Sequence, residues 1–184
     1  MPLYLIFVNP YNALPYFIHH TPPETLLTKL LNMLDDIDTK ILEILQKQGR
    51  TRRNDLAQRV GLSLPAVSER LRKLEESGII AGYFAKLDHK RLGKDITAFI
   101  TVTVDSSKHF SSFVDHLNNS EEILECHAIT GDGTHMLKVR TENTGSLEKL
   151  LAKIQSWQGI VKTTTSVVLS TAKETLRIRI PTHK

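Results

Sequence analysis

Three stretches in the first half of the chain place apolar residues at the three- and four-residue spacing of an amphipathic helix. They cover residues 35–48, residues 53–60 and a longer run that begins after Ser63. The hydroxyl group of Ser63 can cap the third helix. Because only a tight turn at Gly61 and Leu62 separates the second stretch from the third, the pattern predicts a helix-turn-helix.

The third predicted helix has a buried stripe formed by Val67, Leu71 and Leu74, which leaves a polar face directed outward. In a helix-turn-helix, the second helix lies in the major groove, where outward residues meet base edges and basic neighbours meet phosphates. We therefore expect contacts with double-stranded DNA. The predicted base-edge residues are Ser68, Glu69 and Arg72, the predicted phosphate contacts are Arg52, Arg53, Arg70 and Lys73, and the predicted interface also includes Ser63, Pro65 and Ala66.

Two packed helices joined by a glycine turn also occur in proteins that never touch DNA, so the motif alone leaves both interpretations open. Three further features favour DNA binding. Another predicted helix comes first, basic residues cluster around the motif, and a strand predicted at residues 79–87 follows as the first strand of a wing would. The formal net charge of +4 is compatible with a polyanionic partner but does not decide the matter.

From Ile96 onward, the spacing of apolar residues changes to the alternation of a strand with one buried face. Further strands are predicted at residues 123–130, 135–141 and 161–169, and helices at residues 110–117 and 147–154. This βαββαβ order predicts two helices on one face of a four-stranded antiparallel sheet, a ferredoxin-like arrangement. The other face would display Phe99, Met136 and several threonines. A second copy packed sheet to sheet would cover it, although a solvated, threonine-rich face is the alternative.

These patterns predict an α+β protein with two domains. A winged helix-turn-helix domain is expected at residues 34–86, a linker at 87–95, and a ferredoxin-like domain at 96–180. Residues 1–33 form an N-terminal extension of unknown role. They could pair as a strand or clasp against a partner subunit, or they could precede a working protein that begins at Met33.

Several classes of function find no support in the sequence. Cys126 is the only cysteine, which excludes an intrachain disulfide and a cysteine-rich zinc site and favours a reducing, cytoplasmic location. No apolar run approaches the roughly 20 residues of a membrane span. Phosphate-binding glycine loops, nucleophile elbows and His-Glu-x-x-His motifs are missing, so we predict no cofactor, no metal site and no enzymatic activity.

The ordered set of motifs resembles the Lrp/AsnC family of transcription regulators, also called feast/famine regulatory proteins. The motifs are Leu34-Asp35-Asp36-Ile37-Asp38 with Lys40-Ile41-Leu42, Leu56-Ala57 through Val60-Gly61-Leu62-Ser63, Val67 with residues 70–74, Gly78-Ile79-Ile80 with Gly82-Tyr83, and Gly131-Asp132. The resemblance implies a DNA-binding domain tethered to an effector-binding, RAM-type sheet domain. It also implies a homodimer, or an octamer or other ring of dimers, with amino acids bound between subunits near the Gly-Asp turn.

The turn itself offers a physical basis for such a ligand. Exposed backbone amides at Gly131 and Gly133 can bind a carboxylate, and Asp132 can pair with an α-ammonium group. Together with Thr134 and His135, these residues are the predicted effector site. Thr134 stands where the family often has a second acid, and Arg52 stands where a capping serine is common. The alternative is that the glycines only form the hairpin bend.

An enzymatic function is the second hypothesis. Some proteins with the same two-domain plan resemble regulators yet decarboxylate sirohaem-type tetrapyrroles, using histidines and arginines on the sheet domain. His127, His135 and Arg140 could serve here. The well-formed recognition helix argues against this hypothesis, because such an enzyme would not need it.

Overall fold

The computed structural model describes residues 5–8, 15–18 and 34–181. These residues form two compact units. One contains residues 34–86 together with residues 173–181, and the other contains residues 5–8, 15–18 and 87–172. The C-terminal segment therefore belongs with the first unit. None of the helices within the described ranges is long and apolar enough to cross a membrane.

Three helices make up the first unit: α1, Asp36–Lys47; α2, Arg53–Val60; and α3, Leu64–Glu76. Local sequence signals set their ends. The Asp35 carboxylate caps α1 by accepting a hydrogen bond from the Asp38 N–H at 2.8 Å, and Ser63 caps α3. Helix α2 ends at Gly61, whose φ of 73° is a left-handed conformation that suits glycine. The predicted helix-turn-helix is confirmed.

Aliphatic side chains from all three helices form the core of this unit. Ile41 of α1, Leu56 of α2 and Val67 of α3 are almost completely buried, and Leu71 and Leu74 extend the buried stripe along α3. Burying a side chain of this size contributes about 1.5–3 kcal/mol. Because this stripe faces the core, the opposite side of α3 faces outward.

The strand predicted at residues 79–87 is not formed, and this part of the prediction was wrong. The segment has no regular secondary structure, and no strand within the described ranges pairs with it. A strand needs a hydrogen-bonded neighbour, which sequence periodicity alone does not supply. The segment is held instead by local contacts. Ile79 and Ile80 pack against the helical core, and the Ile80 N–H donates to the Leu74 carbonyl oxygen at 3.0 Å.

The second unit is built on four strands: β3, Ile96–Val104; β4, Ile123–Ala128; β5, His135–Thr141; and β6, Ile160–Val167. They form one antiparallel sheet with the order β4-β5-β3-β6. Its helices are α4, Phe110–Asn118, preceded by a 3-10 turn at Ser107–His109, and α5, Thr144–Gln155. The predicted βαββαβ order is confirmed, although β4 and β6 each end two residues earlier than predicted.

The two faces of this sheet differ in burial. Alternate residues of β3, including Ala98, Ile100 and Val102, are fully buried and share one core cluster with Phe113 of α4 and with Trp157, which follows α5. The intervening residues of β3 are partly or fully exposed. We call their side the open sheet face. It carries Thr97, Phe99, Thr101 and Thr103 on β3 and Met136, Lys138 and Arg140 on β5.

The N-terminal stretch contributes two short strands, β1, Leu5–Val8, and β2, Pro15–Ile18. They pair as an antiparallel hairpin in which Leu5 lies opposite Ile18 and Val8 lies opposite Pro15. The rest of the predicted extension at residues 1–33 lies outside the described residues.

Candidate DNA-binding and effector sites

The N-terminal turn of α3 is organised to present its outward side chains. The Ala66 N–H donates to the Ser63 hydroxyl oxygen at 3.4 Å, and Pro65 lies in the first turn, where its missing N–H costs nothing. Ser63 and Pro65 are exposed, Ala66 is half-buried, and Val67 holds the helix to the core. The start of the predicted recognition helix is therefore fixed by a cap on one side and an apolar anchor on the other.

Five of the predicted DNA-binding residues line one shallow, open depression. These residues are Arg53, Pro65, Ser68, Glu69 and Arg72, and Glu75 completes the lining. Arg53 comes from the first position of α2, and the others come from the outward side of α3. The fold thus brings a basic side chain from the first helix of the motif beside the predicted base-reading side chains of the second. Arg52, the N-cap residue of α2, is exposed, and its side chain forms no capping hydrogen bond.

Arg72 is held by two carboxylates on its own helix. Its guanidinium donates to Glu69 at 2.7 and 2.9 Å and to Glu76 at 2.6 Å. The hydrogen bonds with Glu69 and then Glu76 raise the pKa of Arg72, and the hydrogen bond from Arg72 lowers the pKa of Glu69. Lys73 lies 3.8 Å from the same Glu69. Contact of Arg72 with a base would therefore replace these exposed ion pairs, which are individually weak.

Arg70 has a different environment from Arg72. Its Nη1 donates to Asp35 at 2.7 Å and to Asp38 at 2.8 Å, and its side chain is 29% exposed. The hydrogen bond with Asp38 is the main cause that raises the pKa of Arg70. Burial raises the pKa of Asp35, but the hydrogen bonds from the Asp38 N–H and from Arg70 outweigh that effect and lower it. Arg70 thus ties α3 to the beginning of α1.

Tyr83 adds an anchor that the sequence reading did not identify. Its hydroxyl donates to Glu75 Oε1 at 2.9 Å, which joins the segment after α3 to the last turns of that helix. Burial, with a further contribution from the Glu75 hydrogen bond, raises the pKa of Tyr83 to about 12. The Gly82-Tyr83 motif was visible in the sequence, but its physical role depends on the position of Glu75 eight residues earlier.

The predicted effector turn lies between β4 and β5. Gly131 and Gly133 have φ values of 102° and 93°, so both adopt conformations that disfavour other residues. A Cβ atom at Gly133 would lie 2.4 Å from the Thr101 methyl group and 3.2 Å from the Val102 carbonyl oxygen. Gly133 is therefore required both for its backbone angle and for its close approach to β3.

The Thr134 hydroxyl fastens this turn to the central strand. It accepts a hydrogen bond from the Val104 N–H at 3.0 Å, donates to the Val102 carbonyl at 3.1 Å, and contacts Nδ1 of His135 at 2.8 Å. His135 is buried, with Phe110 and Phe113 each 5.1 Å away between ring centroids. Burial lowers the pKa of His135, which keeps the ring neutral near pH 7.

Asp132 is the exposed tip of the turn. Its carboxylate forms no hydrogen bond or ion pair with any residue of the described ranges. The backbone N–H groups of Gly131, Asp132 and Gly133 likewise donate to no acceptor there. One carboxylate and neighbouring backbone donors are thus available side by side, which is the complement of a zwitterion.

The residues of the tetrapyrrole hypothesis do not converge. His135 lies on the helix-covered side of the sheet against Phe110 and Phe113. His127 lies opposite Met136, and Arg140 lies opposite Thr97, so both belong to the open sheet face. His127 is exposed and contacts Glu125 at 3.3 Å. The sheet therefore separates His135 from the other two side chains. The described part of the chain contains no group of three His, Cys, Asp or Glu residues that could hold a metal ion.

The open sheet face combines apolar and polar side chains. Phe99 is 38% exposed at its centre, beside threonines of β3 and the half-buried Met136. Lys138 donates to Glu125 at 2.9 Å near one edge. The centre of the open sheet face is therefore partly apolar, whereas its edge carries charged side chains.

Two family profiles match the chain in the same order as the two units. A profile described as winged helix-turn-helix DNA-binding matches residues 34–81, and one described as Lrp/AsnC ligand binding domain matches residues 97–178. The HTH-type transcriptional regulator FL11 of Pyrococcus horikoshii is 39% identical over 147 residues, covering 80% of this chain and 97% of FL11. The leucine-responsive regulatory protein of Escherichia coli is 37% identical over 153 residues, covering 82% and 93%.

Solved structures give the same result. A transcriptional regulator from Neisseria meningitidis, in complex with L-methionine, matches with a TM-score of 0.76 and 30% identity, covering 80% of this chain and 97% of that one. A feast or famine regulatory protein from M. tuberculosis, complexed with L-methionine, matches with a TM-score of 0.74 and 32% identity, covering 80% and 99%. The resemblance inferred from the motifs is confirmed.

Proposed function

Because the chain belongs to the Lrp/AsnC family of DNA-binding transcriptional regulators, we propose that it reads DNA with the outward side of α3 and responds to an amino acid at the turn after β4. One observation carries the DNA-binding part most strongly. The capped start of α3 displays Pro65, Ser68 and Arg72, with Arg53 of α2 beside them. The tetrapyrrole alternative is not favoured, and the chain is a regulator and not an enzyme.

The side chains take different parts in this interface. We assign Ser68, Glu69 and Arg72 to base edges, and Arg52, Arg53 and Lys73 to phosphates, with Ser63, Pro65 and Ala66 forming the entry to the groove. Arg70 has two carboxylate partners already, so a phosphate contact would require that ion pair to open. Its principal role in our proposal is to hold α1 against α3.

The DNA-binding proposal is tested by Arg72→Ala. Loss of a base contact should weaken binding to a selected fragment by roughly 5- to 150-fold while binding to random DNA changes little. Fluorescence anisotropy with both kinds of DNA measures this. Arg91→Ala is the matched control, because Arg91 is exposed in the other unit. Equal binding of the Arg72→Ala and parent proteins to the selected fragment would remove Arg72 from the interface.

The effector proposal places an amino acid at Gly131, Asp132 and Gly133, with Thr134 and His135 supporting the turn from behind. The Asp132 carboxylate would pair with the α-ammonium group, and the backbone amides would receive the α-carboxylate. L-methionine bound to relatives of this family makes an amino acid the first ligand class to examine. In this proposal, a neighbouring subunit contacts the side chain of the bound amino acid and determines which amino acid is preferred.

Melting scans test this site. A saturating amino acid should raise the melting temperature of the protein, because a ligand that binds only the folded state stabilises it. Asp132→Ala should abolish the rise, whereas Asp115→Ala, an exposed acid on α4, should leave it intact. No shift with any amino acid, or an undiminished shift in Asp132→Ala, contradicts the proposed site.

We further propose that two copies pack through their open sheet faces, so that two recognition helices address two half-sites, and that dimers can join into an octamer or another ring. Phe99 at the centre of the face supports this arrangement. Analytical ultracentrifugation should show that Phe99→Asp dissociates the dimer. Ser111→Asp, which adds the same charge on exposed α4, should not. If Phe99→Asp has the same oligomeric mass as the parent protein, the open sheet face is not the dimer interface.

A DNA regulator of this kind would act in the cytoplasm.

A further inference from the structure

The last described residues form part of the helical unit, although they follow the sheet in sequence. The Ile178 N–H donates to Gln46 Oε1 of α1 at 2.7 Å, and Ile180 packs, partly buried, against the core of the three helices. Glu174 forms an ion pair with Lys86 at 3.2 Å. Three contacts spread over seven residues therefore dock this segment, which we call the C-terminal arm, residues 173–181.

The arm alternates apolar and basic residues in the order Leu176, Arg177, Ile178, Arg179, Ile180. Ile180 is the member that faces the core, while Arg177 and Arg179 are both exposed. Neither arginine has a carboxylate within ion-pair distance among the described residues. The docked arm thus adds two unneutralised cations to the surface of the helical unit.

The surroundings of the dock are also basic. Gln46 is followed by Lys47 at the end of α1 and by Arg50 in the next loop, and both are exposed and without an ion pair in the described part of the chain. Glu43, one turn earlier, is the nearest acid on the same helix, since the acids at the start of α1 lie roughly 15 Å away along the axis. A local excess of positive charge suits a polyanion.

We propose that the C-terminal arm is a second DNA-contacting element of this protein, in which Arg177 and Arg179 bind phosphates of the duplex flanking the site read by α3. The proposal rests on the proposed DNA-binding function. Docking matters because a free tail would lose conformational entropy on binding, whereas an arm already fixed by Gln46 and Ile180 loses less. Contacts to phosphate carry no sequence information, so the arm adds affinity without altering the preferred sequence.

The salt dependence of binding tests the arm. Removing two phosphate contacts in Arg177→Ala/Arg179→Ala should flatten the slope of log K against log salt by about 1.8 per bound protomer. The ratio of affinities for selected and random DNA should stay the same. The melting temperature should also stay the same, because both side chains are exposed. Arg177→Lys/Arg179→Lys is the matched control, since it keeps both charges and should keep the parent slope.

Further results separate the arm from the rest of the interface. Gln46→Ala removes the acceptor that fixes Ile178 without removing a charge, and it should weaken binding to both kinds of DNA. If the double alanine variant shows the same salt slope as the parent protein, the proposed role of the arm is wrong, while the proposal that α3 reads the DNA stands. A changed ratio of selected to random affinity in that variant also overturns it, because it would assign the arginines to bases. A parent protein that ignores DNA at low salt overturns the arm and the proposed function together.

Discussion

Replacing Thr134 with valine should test how the effector turn is supported. Valine has nearly the same shape as threonine but lacks the hydroxyl that joins the turn to β3. The Thr134 hydroxyl donates its one proton to the Val102 carbonyl oxygen. We therefore assign the Nδ1–H tautomer to His135, whose N–H then donates to the Thr134 hydroxyl oxygen. Thr134→Val therefore leaves two N–H donors, those of Val104 and His135, without their acceptor.

The expected cost follows from those two donors. An unsatisfied buried polar group costs about 1–3 kcal/mol, and because this site is only partly buried we expect about 1–3 kcal/mol for the pair. With a slope of about 1 kcal/mol per molar urea for a small domain, the midpoint of unfolding should fall by about 1 M or more. The single tryptophan, Trp157, is buried in the sheet core and reports this transition by fluorescence.

Thr134→Ser is the matched control, because serine keeps the hydroxyl and loses only a methyl group. The serine variant should unfold close to the parent midpoint and keep the amino-acid-dependent rise in melting temperature. The valine variant should unfold at a lower urea concentration and show no such rise. A valine variant as stable as the parent would mean that water satisfies the two donors and that the hydroxyl is not the support of the turn.

Three further results are expected. Glu76→Gln should raise affinity for DNA by roughly two- to fivefold in anisotropy measurements, because it removes a negative charge from the DNA-facing side and one restraint on Arg72. Asp38→Asn should lower the free energy of unfolding by about 1 kcal/mol in urea titrations of helicity, because a carboxylate hydrogen-bonded to arginine is lost. Asp36→Asn should not, because Asp36 has no arginine partner among the described residues. The third concerns pH. Burial lowers the pKa of His135 below 6.5, so the unfolded state binds its proton more readily, and stability measured through Trp157 should fall as the pH drops below 6.5, less so in His135→Gln.

The helices and sheet strands were predictable because their signals are local and repeat. A stripe such as Val67, Leu71 and Leu74 specifies both a helix and its buried side, and the Ser63 cap specifies where the helix begins. The alternation from Ile96 likewise specified a strand with one buried face, and that face is the one covered by helices. The end of α2 was equally predictable, because Gly61 follows the last helical residue and glycine readily adopts the left-handed conformation found there.

The wing strand and the C-terminal arm show where such reasoning ends. Residues 79–87 have a composition typical of a strand, but a strand also needs a neighbouring backbone, and none within the described ranges pairs with it. The arm has the opposite problem. Its contact with Gln46 joins residues 132 positions apart in the sequence, and no periodicity in either segment predicts that they meet. Contacts of this kind join segments that are distant in sequence, and the local pattern does not encode them.

Arg70 and Arg72 make the same point within a single helix. Both are basic residues two positions apart, and the sequence assigned both to DNA. A step of two residues on an α-helix is a rotation of roughly 200°, so the two side chains must leave the helix on nearly opposite sides. Arg72 keeps the outward side, where its partners Glu69 and Glu76 are exposed. Arg70 turns toward α1, where Asp38 is buried and needs a cation. The burial of that one acid, more than the chemistry of arginine, is what separates a structural cation from one available to DNA.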